Sequence, residues 1–265
     1  MSQILVDKNI CKKDGTCVAV CPVQAIAMNA EGYPEETGAP CIFCGHCVAI
    51  CGCQAITHSG LPAEKMLPVA KEQPSAEAID NLLMSQRSIR EFSDKPIAKE
   101  TLEAILDVAR RAPTACNAQN LHWIVLNGRE RVHELAGECV RQLKMMPPSA
   151  FSPIIDRMVI EWEAGTDRIL RSATAVVAVC APQQSPLGRE DASIALTYAE
   201  LAASGRGVGM TWAGLLMFAA AASEPLRQWL KVPEGYTLVT AAMFGYGKYK
   251  YKWIPPRKPL SAQWL

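Results

Sequence analysis

Residues 41–56 read Cys41-Ile-Phe-Cys44-Gly-His-Cys47-Val-Ala-Ile-Cys51-Gly-Cys-Gln-Ala-Ile, and this stretch decides the fold of the N-terminal part of the chain. It repeats residues 11–26 at an offset of 30 positions. The aligned cysteines are Cys11, Cys17 and Cys21 in the first copy against Cys41, Cys47 and Cys51 in the second. Asp14 stands opposite Cys44 and breaks the series. The repeat indicates a redox module.

The cysteine spacing favours an iron–sulfur cluster over other uses of cysteine. In a run of the form Cys-x2-Cys-x2-Cys-x3-Cys, three thiolates hold one cluster and the fourth holds another. A zinc site normally uses two Cys-x2-Cys pairs about 15 to 20 residues apart. Disulfides belong to oxidising compartments, and the sequence gives no sign of a secretory signal before these cysteines. Zinc and disulfides are therefore the weaker alternatives.

The N-terminal sixty residues resemble the bacterial two-cluster 4Fe-4S ferredoxins, in which proline follows the fourth cysteine as Pro22 does here. The resemblance implies a ligand set for each of two clusters, crossing between the repeats. It assigns cluster I to Cys11, Cys17 and Cys51, with Asp14 as a candidate fourth ligand, and cluster II to Cys41, Cys44, Cys47 and Cys21.

Two positions depart from the ferredoxin pattern. A carboxylate is a harder and weaker iron ligand than a thiolate, so cluster I is expected to be an Asp14-ligated 4Fe-4S cluster or a 3Fe-4S cluster. The alternative is a solvated turn aspartate, because Asp14-Gly15 also favours a turn. Gly52 stands where the repeat predicts proline, and Cys53 is then a spare thiol, either a core residue or a substitute ligand.

Length and charge place limits on the rest of the chain. With 265 residues, a second core is expected beyond the cysteine repeat. We predict a two-cluster domain over 1–60, a proline-rich linker over 61–75 and a second domain over 76–265. A net charge of +1 does not indicate a basic surface for binding nucleic acid. The longest apolar stretch, Trp212 to Ala222, is too short to cross a membrane. The protein is expected to be soluble and cytoplasmic.

Helical and strand patterns alternate in the second domain. Apolar stripes predict a helix around Ile79 to Leu83 and another that ends before Pro113. A third helix is predicted from Ala192 to Ser204, and Ser223 is expected to cap a fourth. Short β-branched or aromatic runs predict buried strands at Trp123–Leu126, Ala175–Cys180 and Tyr236–Phe244.

The second domain contains no obvious catalytic triad, metal-spaced histidines or paired carboxylates. Its four-residue stretch Arg87-Ser88-x-Arg90 places two guanidinium groups and a hydroxyl beyond a helix, which suits a phosphate or a pyrimidine carbonyl. Glycines at 205, 207, 209 and 214 would let backbone amides approach a planar ring. Each signal alone is also explained by an ordinary turn.

Taken together and in order, these segments resemble the flavin-dependent nitroreductase family over nearly all of residues 79–265. The resemblance implies that Arg87 to Phe92 contact FMN, that Ala112 to Asn120 serve the partner subunit's flavin, and that Gly207 to Gly214 lie beside the flavin ring. The FMN-binding residues it assigns are Arg87, Ser88, Arg90, Pro113, Thr114, Cys116, Asn117, Gln119, Gly207, Gly209, Trp212, Ala213, Gly214 and Arg257. Gln86 departs from the family pattern, in which many members carry a further arginine.

The resemblance implies an α+β fold: a small ferredoxin-like two-cluster domain followed by an α+β nitroreductase-type domain with a mixed sheet flanked by helices. It also implies a homodimer with FMN at the interface. The expected activity is reduction of a small electron-poor substrate, such as a nitroaromatic or a quinone, with the flavin as reactive centre and electrons supplied by a ferredoxin through the clusters. The alternatives are direct reduction by NAD(P)H and a non-enzymatic electron carrier or redox sensor. In an enzyme, Met145 to Arg171 would cover the flavin.

Overall fold

The computed structural model describes residues 3–148 and 151–265. The chain forms two compact units. The first contains the residues up to Gln73 together with the short segment Ala115–Ala118. The second contains Pro74–Thr114 and Gln119–Leu265.

The first unit consists of short strands and helices around a small core. Its elements are β1 (Ile4–Val6), α1 (Thr16–Ala19), β2 (Ile26–Met28), β3 (Pro34–Glu36), α2 (His46–Ile50) and β4 (Ile56–His58). Strand β1 pairs with β4 and β2 with β3, both antiparallel. Two of the repeat cysteines, Cys17 and Cys47, are buried in the core with Ile4, Ile26 and Ile56. The core is therefore built around the cysteine repeat itself.

The second unit is a four-stranded sheet with helices on both faces. Its elements are α3 (Ala76–Ser85), α4 (Lys99–Ala109), β5 (His122–Asn127), α5 (Arg129–Lys144), α6 (Ser152–Glu163), β6 (Ala175–Pro182), α7 (Gly188–Ser204), β7 (Gly209–Trp212), α8 (Gly214–Ala222), α9 (Glu224–Trp229) and β8 (Tyr236–Gly245). The strand order is β5-β6-β8-β7.

All three strand pairs of this sheet are antiparallel. This corrects one detail of the sequence-based expectation, because the α+β class is right but the sheet formed by the described residues is not mixed. The strand patterns could not have specified direction, since buried strands of either kind carry the same continuous apolar run.

Alternate residues of the central strand β6 serve two separate cores. Val176, Ala178 and Cys180 pack with residues of α5 and α8, whereas Val177 and Val179 pack with residues of α4 and α7. This follows from the two-residue period of a strand, in which successive side chains point to opposite faces. Every residue from Ala175 to Ala181 is buried, which explains why the run is apolar without alternation.

The predicted strands and helices of the second unit are confirmed with small shifts at their ends. The three expected strands are β5, β6 and β8, each extended by one or two residues. Helix α7 begins at Gly188, four residues before the predicted start at Ala192. Ser223 caps α9 as expected, since its Oγ accepts a hydrogen bond from the Leu226 N–H at 3.2 Å.

A buried polar chain links α5 to the start of α9. The Gln142 amide donates to Glu138 Oε1 at 2.7 Å, and the Ser223 hydroxyl donates to Gln142 Oε1 at 2.7 Å. Arg141 also donates to Glu138. Burial raises the pKa of Glu138, but the bonds from Arg141 and Gln142 outweigh it, so the pKa lies below its ordinary value. The carboxylate is therefore held charged inside the fold.

None of the helices within residues 3–148 and 151–265 combines the length and the apolar character that a bilayer crossing requires.

Candidate functional site

The two cysteine segments fold into two copies of one backbone. In each copy three residues have positive φ, and the values agree within a few degrees between the copies. The pairs are Lys13 and Phe43 (57° and 55°), Gly15 and Gly45 (74° and 74°), and Gln24 and Gln54 (53° and 57°). The last cysteine of each copy also accepts a backbone hydrogen bond four residues on, with the same N–S distance of 3.2 Å in both copies. The sequence repeat is thus a structural repeat.

The first group of predicted ligands surrounds one small cavity. Its lining includes Cys11, Asp14, Cys17 and Cys51, the set predicted for cluster I, and also Cys53. Burial raises the pKa of the Cys17 thiol, and the nearby Cys51 and Asp14 raise it further. Cys17 and Cys51 come from different repeats, so the fold brings cysteines of both copies to one cavity.

The second group lies around Cys47. Burial raises the pKa of this thiol, and the neighbouring Cys44 and Cys41 add to the effect. Cys21 is half-buried, and its sulfur accepts the Ala25 N–H. Because binding to iron requires thiolates, raised thiol pKa values mean that these side chains release protons when they bind.

His58 adds a hydrogen bond that the sequence did not reveal. Its Nδ1 accepts the Gly60 N–H at 3.0 Å, so the neutral ring carries its proton on Nε2, which lies 3.5 Å from Cys41 Sγ. The ring is buried and meets Phe43 edge to face.

The donor set fits a thiolate-bound cluster. Cys11, Cys17, Cys51 and Cys53 line one cavity, as ligands to different irons of one cluster must.

Asp14 is engaged in a turn. Its Oδ1 accepts the Thr16 N–H at 3.0 Å, immediately before α1. The same bond lowers the pKa of the Asp14 carboxyl group. The carboxylate therefore closes an Asx turn before α1, which is the turn role that the sequence left open.

In the second unit, the predicted first motif is an extended strap fixed to the sheet by backbone hydrogen bonds. Ile89 donates to Met210 O of β7 at 2.9 Å, and Ser93 donates to Tyr246 O just beyond β8 at 2.8 Å. Between them, Glu91 O accepts the Lys248 N–H at 2.9 Å. The alternating bonds give the strap the geometry of a short strand, in which residues three apart point to opposite faces.

Arg87 and the glycine-rich segment line one cavity of about 390 Å³. Gly207 and Gly209 belong to its wall, together with Tyr249 and Tyr251. The Arg87 guanidinium donates through Nη1 to Met84 O at the end of α3, while its buried Nε has no hydrogen-bond partner among the described residues. A buried unpaired donor beside open glycine backbone is a fitting place for an anionic or carbonyl group of a ligand.

Arg90 faces a different cavity, of about 270 Å³. Arg87 and Arg90 therefore line separate cavities. The wall of the second cavity carries the basic side chains of Arg90, Arg129, Arg168, Arg171 and Lys248 and the acidic side chains of Glu91, Asp94 and Asp167. Arg171 and Ser172 both have positive φ, and burial lowers the pKa of Arg171, with Arg90 and Arg168 lowering it further. Sequence analysis missed Arg171, because nothing local marks an isolated arginine in a loop.

The predicted second motif divides between the units. Thr114 and Gln119 line a cavity of about 480 Å³ in the second unit, and Thr114 Oγ1 accepts the Gln119 N–H at 3.0 Å. Cys116 and Asn117 belong to the first unit, where the Asn117 amide donates to Ile42 O at 3.0 Å. It also donates to Phe43 O at 3.1 Å. Cys116, Asn117 and Gln119 all have positive φ, a strained backbone of the kind that clusters at functional sites.

The remaining predicted residues have simple positions. Ser88 is half-buried in the strap, and Pro113 is exposed after α4. Trp212 is partly exposed at the end of β7, Ala213 is buried, and Gly214 begins α8. Arg257 lies in the exposed C-terminal segment, 251–265.

The segment expected to cover the flavin contains α6. Met145 and Phe151 are exposed, whereas Trp162 is half-buried against the core and stacks on His133 at a centroid distance of 4.7 Å. Two residues of this segment, Ser149 and Ala150, lie outside the described residues. Trp162 is therefore a packing residue, and the covering role of the rest stays a prediction.

Comparison with known proteins identifies both parts of the chain. Residues 83–246 match the nitroreductase family, and residues 3–52 match a 4Fe-4S dicluster domain. A protein of Archaeoglobus fulgidus, provisionally named NADH dehydrogenase/NAD(P)H nitroreductase, is 30% identical over 173 residues, which are 63% of this chain and 84% of that protein. The chloronitrobenzene nitroreductase of Comamonas testosteroni is 39% identical over 70 residues, 26% of this chain and 31% of that enzyme.

Among solved structures, a nitroreductase with bound FMN from Bacteroides fragilis superposes with a TM-score of 0.57 at 19% identity. The match covers 69% of this chain and 94% of that one, and it establishes the shared fold. The match to the family spans more than half of the chain. The chain therefore belongs to the nitroreductase family of flavin-dependent oxidoreductases and carries an N-terminal 4Fe-4S dicluster domain.

Proposed function

We propose that this protein is an FMN-dependent reductase that passes electrons from a low-potential donor, a ferredoxin, through two iron–sulfur clusters to FMN and then to a small electron-poor acceptor. One observation carries the proposal: a single chain joins a nitroreductase-family domain to a dicluster domain. Clusters exchange one electron at a time and FMN can exchange one or two, so the pair joins a one-electron donor to a two-electron reduction.

In this proposal the repeat cysteines hold the clusters. Cys11, Cys17 and Cys51 serve cluster I, and the shared cavity and the electrostatic effect of Cys51 on Cys17 support this grouping. Cluster II would be held by Cys41, Cys44, Cys47 and Cys21. The electrostatic effect of Cys44 and Cys41 on Cys47 supports that set.

The flavin site is proposed at the cavity shared by the strap and the glycine-rich segment. The free Nε of Arg87 would donate to the ligand, while Gly207 keeps its part of the wall clear of a side chain. Trp212, Ala213 and Gly214 follow on β7 and α8, where backbone N–H groups at the start of a helix suit electron-rich atoms. Ser88, Arg90 and Arg257 remain proposed ligands, and the basic cavity around Arg90 gives it an environment suited to phosphate.

We also propose a homodimer. Helix α3 is amphipathic, yet none of its residues is buried against the rest of the described chain, and Ile79, Leu83 and Met84 are each exposed by 42% or more. The C-terminal segment likewise exposes Trp253 and Trp264. Apolar surface of this extent is expected to be covered by a second copy. Pro113, Thr114, Cys116, Asn117 and Gln119 would then act on the partner's flavin.

Nitroaromatics and quinones are the proposed acceptors. The similarity to a chloronitrobenzene nitroreductase supports the first class. A second candidate function is direct reduction by NAD(P)H, which the provisional name of the Archaeoglobus fulgidus relative favours.

Two electron donors and two cysteine variants distinguish these functions. Anaerobic protein is mixed with a nitroaromatic and either reduced ferredoxin or NADPH, and turnover is compared for wild type, Cys47→Ala and Cys180→Ala. Cys180 is a buried cysteine of β6 outside the repeat and is the matched control. We expect ferredoxin-driven turnover to be lost in Cys47→Ala and kept in Cys180→Ala. If NADPH alone drives wild type and Cys47→Ala is unaffected, the relay is wrong and the second function is right.

The flavin site has a separate test. Arg87→Ala should weaken FMN retention on gel filtration, whereas Arg110→Ala removes an equal charge that is exposed and paired with Asp107. Equal FMN content in the two variants would contradict the proposed site.

A further inference from the structure

The cysteine repeat contains three substitutions that all fall on one cluster. Asp14 aligns with Cys44 of the other repeat, Gly52 aligns with Pro22, and Cys53 aligns with Val23. The first removes a thiolate from cluster I. The other two follow Cys51, which is the ligand that the second repeat sends to cluster I. A thiolate is thus lost and another gained around the same cluster.

The structure places the gained thiol where the lost one would act. Cys53 lines the same cavity as Cys11, Cys17 and Cys51, and its sulfur lies 3.7 Å from Cys51 Sγ. Both repeats share the same backbone, so Cys53 occupies the position beside cluster I that Val23 occupies beside cluster II. An apolar contact residue has become a potential iron ligand.

The segment that carries Cys53 has conformational freedom. Glycine at 52 removes the fixed φ that a proline ring imposes. A Cβ added at Gly52 would meet no described atom within 4 Å, so the segment has room to adjust.

Asp14 is less suited to the same task. One carboxylate oxygen already accepts the Thr16 N–H, and the side chain lies at the exposed side of the cavity. Ligation by Asp14 would also replace a soft donor by a hard one on iron.

We propose that Cys53 is the fourth ligand of cluster I, and that Asp14 caps the turn before α1. On binding, the Cys53 thiol releases its proton and one Fe–S bond forms, with no change in oxidation state. The inference rests on the proposed two-cluster module and completes it, because cluster I then has four thiolates.

Iron content tests the assignment directly. Wild type, Cys53→Val and Asp14→Asn are purified without oxygen, and iron and acid-labile sulfide are measured per chain. Valine reproduces the residue of the other repeat, so the fold should hold, and cluster II provides an internal count. We expect about eight irons in wild type and Asp14→Asn, and about seven in Cys53→Val, because a four-iron cluster short of one ligand loses one iron. Oxidised Cys53→Val should gain the paramagnetic signal of a three-iron cluster.

Thiol labelling supplies an independent readout. Cys139 and Cys180 are buried in the second unit and should stay unreactive toward iodoacetamide while the fold holds, so they serve as the control for unfolding. Cys53 should be protected in the eight-iron protein and become reactive after iron is removed by a chelator. The inference would be overturned by eight irons in Cys53→Val, by seven irons in wild type, or by labelling of Cys53 at the same rate before and after iron removal. Each of these results would leave the two-cluster module standing. Wild type without iron would overturn both.

Discussion

A methyl group added at Gly209 should separate the strap from β7. An ideal Cβ there would lie 2.4 Å from Ile89 Cγ1 and 2.8 Å from Ile89 Cβ. Ile89 cannot withdraw freely, since its N–H is bonded to Met210 O. Relief requires a shift of roughly 1 Å, and overpacking of this kind costs about 1–3 kcal/mol. For a unit of this size we expect Gly209→Ala to lower the melting temperature by about 2–12 °C.

Gly205→Ala is the matched control, four residues earlier. Gly205 ends α7 with φ −62° and ψ −13°, and an added Cβ would make only ordinary contacts at 3.8 Å or more. Alanine should therefore be neutral or stabilise by about 0.4–1 kcal/mol. Calorimetry measures both variants, and flavin fluorescence measures FMN affinity, which should fall only in Gly209→Ala. Melting temperatures within 1 °C of each other, with equal FMN affinity, would refute the packing of strap and strand described above.

Three further predictions concern single side chains. His58→Ala removes the hydrogen bond to Cys41 Sγ, so the midpoint potential of cluster II should fall by roughly 20–60 mV in a redox titration, the equivalent of a net hydrogen bond; an unchanged potential would exclude that bond. Asp14→Cys should keep about eight irons while Cys53 becomes open to alkylation, and persistent protection of Cys53 would argue against competition between the two thiols. Glu138 has a lowered pKa in the fold, so its stabilisation is complete above pH 4.5, the ordinary value, and is lost as pH falls through the lower folded value. Glu138→Gln should therefore lower the free energy of unfolding at neutral pH. In urea titrations between pH 5 and pH 3, that free energy should fall less with pH in the variant than in wild type, and parallel pH curves for the two proteins would contradict this role.

The parts of the structure that followed from sequence are those fixed by local pattern. The resemblance to the two-cluster ferredoxins predicted that Cys17 and Cys51 would lie together, and they line one cavity. The apolar run at Ala175–Cys180 predicted the central strand, because a strand covered on both faces carries apolar side chains on both.

The parts that did not follow depend on long-range geometry. The sequence did not reveal that Arg87 and Arg90 line different cavities, which follows because an extended strap turns residues three apart to opposite faces. Arg171 reaches the second cavity through a left-handed loop that no composition rule identifies. The partner of His58 depends on strand β4 bringing it back to Cys41, 17 positions away in sequence.

The proposed crossing of ligands between the repeats has a consequence for biogenesis. Cys51 belongs to the second repeat by sequence but lies with Cys17 of the first, so in the proposed assignment neither half of the duplicated unit contains a full ligand set. Cluster insertion then requires both halves to be folded and in contact, and each inserted cluster links the two halves. Iron supply would act on this chain as a folding switch, and a break in either half should empty both metal centres at once.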